Sequence, residues 1–197
     1  MNSEEWDARY AGTELVWSAT PNQFVAAETA DLPPGRALDL ATGEGRNAVW
    51  LAEQGWTVTG VDFSAAGLAK AGRLAAERGV QVDWVHADVL EHTPDPASYD
   101  LVMVIYLQIA PAALDAVFER AVPALAPGGT FLVVGHDLAN LTEGTGGPQD
   151  PERLYTADAI TARLDGFKIV KAGQVLRTVQ GADRQAVDTL VRAVRPA

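Results

Sequence analysis

Two glycines and two aspartates follow successive predicted strands, at a spacing that suits the binding of a nucleoside. Gly43 and Gly45 lie in the loop after Asp39, where residues without a Cβ let the backbone bend and approach a ligand. Asp62 stands 23 residues after Asp39 and can accept both hydroxyls of a ribose. Asp88 follows the next apolar run and can accept an adenine amino group. A sharp turn with two solvated aspartates is the simpler interpretation, but carboxylates at two successive strand ends favour the ligand.

A dinucleotide is the main alternative ligand for this loop. Gly43, Gly45 and Ala48 fit the G-x-G-x-x-G/A fingerprint of nicotinamide-dependent enzymes. Glu44 opposes that interpretation, because a carboxylate inside the loop would repel a doubly negative pyrophosphate. A nucleoside that carries sulfonium and ammonium charges suits the acidic loop better. An NAD(P)-dependent oxidoreductase remains the alternative enzyme, and a non-catalytic cofactor-binding partner subunit remains the alternative without catalysis.

Three side chains near later strand ends could act on a substrate. His136 follows the fifth predicted strand and is the best candidate for a general base, because its unperturbed pKa lies near neutrality. A histidine hydrogen-bonded to the backbone is the competing interpretation. Tyr106 and Gln108 follow the fourth strand. Tyr106 can pack near the reacting centre or offer its hydroxyl, and Gln108 can orient a substrate, although a core aromatic and a helix-leading polar residue would have the same pattern.

Apolar runs of strand length alternate with helical patterns, and this alternation positions the residues above. Strand, helix and strand in repetition predict right-handed crossovers and a parallel sheet with helices on both faces. Two later apolar runs predict an antiparallel C-terminal hairpin. The fold class is therefore α/β, a doubly wound, Rossmann-like, seven-stranded and mostly parallel sheet. The predicted strands cover 37–41, 56–61, 82–87, 99–105, 130–135, 167–179 and 185–194, and the main helices cover 46–54, 65–78 and 111–121.

One domain over residues 1–197 accounts for the whole chain. Residues 1–35 are predicted to form an N-terminal helical cover, in which Thr20 and Pro21 supply a cap and a first helical position. Residues 137–153 combine turn residues with little periodicity, which predicts a mobile loop. A further helix is predicted over 156–164.

The composition excludes several classes of function. Lys plus Arg number 15 against 26 Asp plus Glu, and the formal net charge is -11. This charge disfavours nucleic acid and anionic membranes as partners, because both attract basic surfaces. The chain has no cysteine, and its three histidines lack the spacing of metal ligands, so no metal is expected. An acidic, polar start without a long apolar run predicts a cytoplasmic protein that acts on a small molecule, and the oligomeric state remains open.

Five segments in order resemble class I S-adenosylmethionine-dependent methyltransferases, most closely the tellurite-resistance-type or generic small-molecule branch. The resemblance covers nearly the whole chain. Members of the family commonly have glycine where this chain has Ala41, and alanine restricts φ at that position. The segments are Leu38–Asn47 (the first motif), Val61–Ser64 (ribose), Ala87–Val89 (adenine), Tyr99–Val102 (the start of the fourth strand) and Leu125–Thr130 (the turn before the fifth).

The resemblance implies methyl transfer from S-adenosylmethionine to a small molecule by in-line displacement, with S-adenosylhomocysteine as product. The acceptor atom could be oxygen, nitrogen, sulfur or another soft nucleophile. Residues that the resemblance assigns to the cofactor are Arg9, Asp39, Ala41, Gly43, Gly45, Asn47, Asp62, Phe63, Ala87, Asp88 and Val89.

The start Trp6-Asp7-Ala8-Arg9-Tyr10 also looks like a recurrent segment of the family that folds over the cofactor. Arg9 would hold the methionine carboxylate, and Tyr10 and Trp17 would close the methyl pocket. Tyr10 thus joins His136 and Tyr106 as a catalytic candidate, and Trp17 joins Gln108 in the substrate pocket. The competing interpretation is an amphipathic helix whose aromatic side chains are ordinary core anchors.

Overall fold

The computed structural model describes residues 3–197, in which helices and strands alternate along the chain. The elements are α1 (Ser3–Tyr10), α2 (Gln23–Thr29), β1 (Arg36–Leu40), α3 (Arg46–Glu53), β2 (Thr57–Asp62), α4 (Ala65–Arg78), β3 (Asp83–His86), β4 (Tyr99–Ile105), α5 (Pro111–Ala124), β5 (Leu125–His136), α6 (Asn140–Glu143), a 3-10 turn (Pro151–Arg153), α7 (Ala157–Thr161), β6 (Lys168–Arg177) and β7 (Ala186–Val194).

The strands form one sheet in the order β3-β2-β1-β4-β5-β7-β6. The first five strands are parallel, and β7 runs antiparallel to both β5 and β6. The central strands are buried on both faces, which explains why they are continuous apolar runs in the sequence. The predicted doubly wound sheet with an antiparallel C-terminal hairpin is confirmed.

Alternation along β5 divides the core between the two faces of the sheet. Leu132 and Val134 pack with Val25 of α2 and Leu51 of α3. Phe131 and Val133 pack on the opposite face with side chains of α5 and α7. Because alternate residues of a strand share a face, His136 projects from the α2–α3 face. Asp188, the register partner of His136 in β7, lies beside it on the same face.

Several peripheral elements differ from the sequence predictions. Pro21 does not begin a helix; α2 begins at Gln23, because Asn22 is extended and its side chain caps the Phe24 N–H at 2.9 Å. The predicted helix over 156–164 is shorter, and Thr156 is its cap. The predicted loop over 137–153 contains α6 and the 3-10 turn. Its mobility stays a prediction. Within residues 3–197 no helix is both long and apolar enough for a bilayer span, and the longest helices have 14 residues.

Candidate active site

The loop between β1 and α3 has three residues in left-handed backbone conformations. Gly43 has φ 58° and Gly45 has φ 78°. A Cβ on Gly45 would lie 2.6 Å from the Cβ of Ala71 and 2.7 Å from the Trp84 ring, so this position requires glycine. Ala41, with φ 59°, adopts the conformation for which the family commonly uses glycine. This alanine carries backbone strain on the order of 1 kcal/mol.

Asp39 lies beneath the loop and organises it. Its side chain is buried, and its Oδ2 accepts the Thr42 hydroxyl at 2.7 Å. Burial, with a smaller contribution from the charge of Asp62, raises the pKa of Asp39 to about 7. The carboxyl therefore changes its protonation near neutral pH. A direct contact between Asp39 and a cofactor stays a prediction.

This pKa predicts how the cofactor-free protein responds to pH. A carboxyl whose pKa is higher in the folded state binds its proton more tightly there, so stability falls as pH rises from about 4 to about 7. The loss has an upper bound of about 4 kcal/mol. We expect Asp39→Asn to remove it, so that the variant gains stability relative to wild type as pH rises from about 4 to about 7 in urea unfolding. The exposed control Asp83→Asn should show no such gain, and equal pH slopes for Asp39→Asn and wild type would contradict the assignment.

Asp62 joins the end of β2 to the glycine loop. Its Oδ2 accepts the Gly43 N–H at 2.8 Å, and its Oδ1 accepts the Ser64 N–H at 2.8 Å. Burial raises its pKa, and the two backbone hydrogen bonds oppose that rise. A carboxylate has about four lone-pair sites, so about two remain for the hydroxyls of a ligand. The predicted ribose site keeps the acceptor capacity that it needs.

The other residues predicted to hold the nucleoside lie at neighbouring strand ends. The Oδ1 of Asp88 accepts the Leu90 N–H at 2.9 Å, and no hydrogen bond to its Oδ2 forms within residues 3–197. Val89 belongs to the core. The Ala87 N–H donates to the Asp62 carbonyl, and the Phe63 carbonyl lies 2.9 Å from the His86 Nε2. These contacts bring the ends of β2 and β3 together, as the sequence predicts. Asn47 differs, because it is buried and its Oδ1 accepts the Asn22 N–H at 2.9 Å.

Glu44 fastens the N-terminal segment to the loop. Its carboxylate accepts the backbone N–H groups of Val16 and Trp17, each at 2.9 Å. It also forms a buried ion pair with Lys70 at 2.9 Å. The charge of Glu44 is therefore compensated by the protein. In the sequence this charge disfavours a dinucleotide and favours a cationic nucleoside, whereas in the structure Glu44 binds Lys70 and the N-terminal cover.

Helix α1 lies over the glycine loop. Asp7 accepts the Ser64 hydroxyl and the Ala66 N–H at the start of α4. Tyr10 is 5% exposed, and its hydroxyl would lie 3.0 Å from a Cβ on Gly43. Burial raises the pKa of Tyr10 to about 12, so its hydroxyl is neutral and can donate a hydrogen bond. The predicted N-terminal cover thus places Tyr10 directly on the loop.

Arg9 is held between two indole rings. Its guanidinium carbon lies 5.2 Å from the Trp6 ring centroid and 5.1 Å from that of Trp17, which is a cation–π arrangement. Trp17 is 41% exposed, and its Nε1 donates to the Tyr10 hydroxyl at 3.4 Å. In the described range Arg9 forms no ion pair. The rings position a guanidinium whose donors are available to a carboxylate.

His136 and Asp188 form the centre of a polar network. The two residues are register partners in the antiparallel pair of β5 and β7, and the His136 Nδ1 lies 3.2 Å from the Asp188 Oδ1. Asp188 is fully buried, and its Oδ2 accepts the Tyr106 hydroxyl at 2.6 Å and the Arg177 Nε–H at 2.7 Å. Burial alone would raise the pKa of Asp188, but the nearby His136 ring and the hydrogen bonds from Arg177 and Tyr106 outweigh it and hold the pKa below its usual range. The carboxylate is therefore charged, is held at Oδ2 by two hydrogen bonds, and faces the His136 ring with Oδ1.

Tyr106 is strained and firmly held. Its φ of 56° is left-handed, which is uncommon for a bulky side chain and typical of functional positions. Its hydroxyl donates to Asp188 and accepts the Arg177 Nε–H at 2.9 Å. Burial, followed by the charge of Asp188, raises its pKa. Its ring centroid lies 5.0 Å from that of His136. Tyr106 therefore acts as a neutral donor that supports the network.

The second nitrogen of His136 remains open. No hydrogen bond to its Nε2 forms within residues 3–197, and the side chain is 14% exposed. Gly147 covers the other side of the ring, because a Cβ there would lie 2.8 Å from the His136 Cδ2. A proton on Nδ1 directed at Asp188 leaves the Nε2 lone pair for a substrate. This geometry suits a general base.

Gln108 binds the backbone with both polar ends of its side chain. Its Oε1 accepts the His136 N–H at 2.7 Å, and its Nε2 donates to the Arg153 carbonyl. Both polar ends are thus bound to the backbone, where they join the end of β5 to the 3-10 turn. Gln108 positions His136, and a contact between Gln108 and substrate stays a prediction.

Sequence reasoning missed three residues of this site: Asp188, Arg177 and Lys70. A signal for Asp188 exists, because it is an acid inside the apolar run of β7. A buried strand tolerates such a residue only when its charge is compensated. In the part of the chain that the structure describes, no three His, Cys, Asp or Glu side chains converge as a metal site would require.

The chain is similar to known methyltransferases. A family described as "Methyltransferase domain" matches residues 37–129. Demethylmenaquinone methyltransferase of Thermus thermophilus is 36% identical over 125 residues, which cover 62% of this chain and 55% of that protein. The 2-heptyl-1-hydroxyquinolin-4(1H)-one methyltransferase of Mycobacteroides abscessus is 31% identical over 151 residues, which cover 68% of this chain and 66% of that protein. The chain therefore spans between half and two thirds of the length of these relatives.

The fold also matches solved structures. N-methyltransferase NodS from Bradyrhizobium japonicum, in complex with S-adenosylhomocysteine, aligns with a TM-score of 0.75 at 17% identity. The alignment covers 99% of this chain and 98% of that one. At this identity the match supports the fold alone.

Proposed function

Because the chain belongs to the class I S-adenosylmethionine-dependent methyltransferases, we propose that it transfers a methyl group from S-adenosylmethionine to a hydroxyl of a small-molecule acceptor. The observation that carries the choice of a hydroxyl is the His136–Asp188 pair, which leaves the His136 Nε2 open. A hydroxyl must lose its proton to become a strong nucleophile, whereas a thioether or a tertiary amine needs no base. The M. abscessus relative, whose name specifies a hydroxyquinolone, supports this class of acceptor.

The residues at the strand ends fit the cofactor. Asp62 keeps acceptor capacity for ribose hydroxyls, and the Asp88 Oδ2, which accepts no hydrogen bond within residues 3–197, can accept from an amino group. Arg9 supplies bidentate donors for the carboxylate of the amino-acid tail. When bound, the cofactor supplies an electrophilic methyl group on a sulfonium that leaves as a neutral thioether.

The chain's own residues then prepare the acceptor. His136 accepts the hydroxyl proton at Nε2, and the acceptor oxygen keeps the electron pair with which it attacks. Asp188 stabilises the imidazolium that forms, and Tyr106 and Arg177 hold Asp188 in place. The N-terminal cover, fastened through Glu44, excludes water from the site.

Ligand-induced stabilisation tests this proposal against its alternatives. A ligand that binds only the folded protein raises its melting temperature. We expect S-adenosylhomocysteine to raise it and NADH to leave it unchanged; the opposite pattern would favour an oxidoreductase. A labelled-methyl assay over hydroxylated ring compounds and metabolite extracts should then yield a labelled product. Cofactor binding without any labelled product would favour the non-catalytic partner subunit.

A further inference from the structure

Two arginines beside the His136–Asp188 pair keep hydrogen-bond donors unused. Arg177 binds Asp188 and Tyr106 through Nε alone, and its two terminal nitrogens form no hydrogen bond within residues 3–197. The Arg46 side chain forms no ion pair within residues 3–197. Its guanidinium forms one hydrogen bond there, a long contact of 3.5 Å from Nη1 to the Ser18 hydroxyl. Both guanidinium groups can therefore accept a further partner.

The two arginines face the same region of the molecule. Arg177 lies two residues beyond Val175, the register partner of Asp188, so alternation along β6 places Arg177 on the α2–α3 face with His136. Arg46 occupies the first turn of α3, directly after the glycine loop. Burial lowers the pKa of Arg46, and the positive charge of Arg177 lowers it further. The region around the His136–Asp188 pair thus has two arginine side chains in a chain of net charge -11.

The nearby acids do not neutralise this pair of cations fully. Glu44 pairs with Lys70, and Asp188 pairs with Arg177 and is also faced by His136, so within residues 3–197 no carboxylate forms an ion pair with Arg46. Asp39 has a pKa of about 7, so it is protonated in part of the molecules near neutral pH. Within residues 3–197 Arg46 thus feels the charge of Arg177 and forms no ion pair of its own, and an anion between the two guanidinium groups would remove that cost.

We propose that the acceptor carries a carboxylate, which binds between Arg46 and Arg177 while its hydroxyl faces the Nε2 of His136. This inference deepens the proposed function and rests on it. A planar guanidinium matches a carboxylate with two parallel hydrogen bonds. A singly charged carboxylate is favoured over a phosphate dianion, because Asp62 and Asp188 lie at the same edge of the sheet and would repel the second charge.

The test compares acids with their neutral amides on protein saturated with S-adenosylhomocysteine. Matched pairs of hydroxybenzoates and hydroxybenzamides, hydroxynaphthoates and hydroxynaphthamides, and hydroxyquinoline carboxylates and carboxamides are titrated by calorimetry. At least one acid should bind wild type about ten-fold more tightly than its amide. Arg46→Gln, which does not touch the His136–Asp188 pair, should remove this preference and leave amide binding within about two-fold. Arg177→Gln should act in the same direction.

The exposed Arg73 on α4 supplies the matched control. Arg73→Gln should keep the preference of wild type for the acid. Equal affinities for every acid and its amide, or no binding of any acid, would overturn the inference and leave the proposed function standing. A weaker Kd for S-adenosylhomocysteine in Arg46→Gln with an unchanged acid preference would also overturn it, and would assign Arg46 to the cofactor tail. Failure of wild type to bind S-adenosylhomocysteine would overturn the proposed function and this inference together.

Discussion

Replacing His136 with glutamine is expected to lower kcat by about 10²- to 10⁴-fold, because the acceptor hydroxyl loses the base that takes its proton. The Kd for S-adenosylhomocysteine should stay within about two-fold, since His136 lies on the acceptor side of the site. Radiolabelled methyl transfer to the acceptor found by the labelled-methyl assay measures kcat, and calorimetry measures the Kd. His92→Gln is the matched control, because His92 lies in a loop away from the network, and its kcat should equal that of wild type.

Asp188→Asn should lower kcat by about 10²-fold without a comparable change in KM, because the amide no longer fixes the imidazole tautomer. Nitrogen NMR of the histidine rings gives a readout that does not depend on turnover. In wild type the proton should reside on the Nδ1 of His136, facing Asp188, and in Asp188→Asn the other tautomer should become populated. A kcat of His136→Gln close to that of wild type would show that His136 has only a structural role. An unchanged tautomer in Asp188→Asn would remove Asp188 as its positioning residue.

Asp62→Ala is expected to raise the Kd for S-adenosylhomocysteine by about 100-fold or more. Hydrogen bonds to a charged group contribute about 1.5 to 3 kcal/mol each, and the carboxylate is expected to accept two ribose hydroxyls. The variant should also lower the melting temperature of the cofactor-free protein, because the N–H groups of Gly43 and Ser64 lose their acceptor. Calorimetric titration and thermal unfolding measure the two effects separately.

Asp83→Ala is the control for that experiment. Asp83 begins β3, is exposed and lies at the opposite end of its strand from the site, so neither the Kd nor the melting temperature should change by much. A Kd for Asp62→Ala within about three-fold of wild type would remove the ribose assignment. A lower melting temperature of Asp62→Ala with an unchanged Kd for S-adenosylhomocysteine would then identify Asp62 as a residue that only shapes the glycine loop.

The fold could be predicted because its pattern is local. Each strand of the parallel sheet is a short apolar run, and each crossover helix has its own period and its own stop signal, as at Gly79 after α4. Asp62 and Asp88 could be found for the same reason, since topology places every parallel strand end at one edge of the sheet. The start of α2 was mispredicted, because Thr20 and Pro21 have the pattern of a helix start and the tertiary contact of Asn22 with Asn47 moves that start.

Sequence alone thus determined the sheet, the glycine loop, the carboxylates at the strand ends and the candidacy of His136. Only the tertiary structure decided which partners these residues have. Asp188 meets His136 because an antiparallel register brings together residues far apart in the chain. Glu44 turned out to bind Lys70 and the cover, and Gln108 turned out to bind backbone at both ends. Strand ends follow from local periodicity, whereas side-chain partners depend on register and packing between distant segments, and no spacing along the chain encodes those.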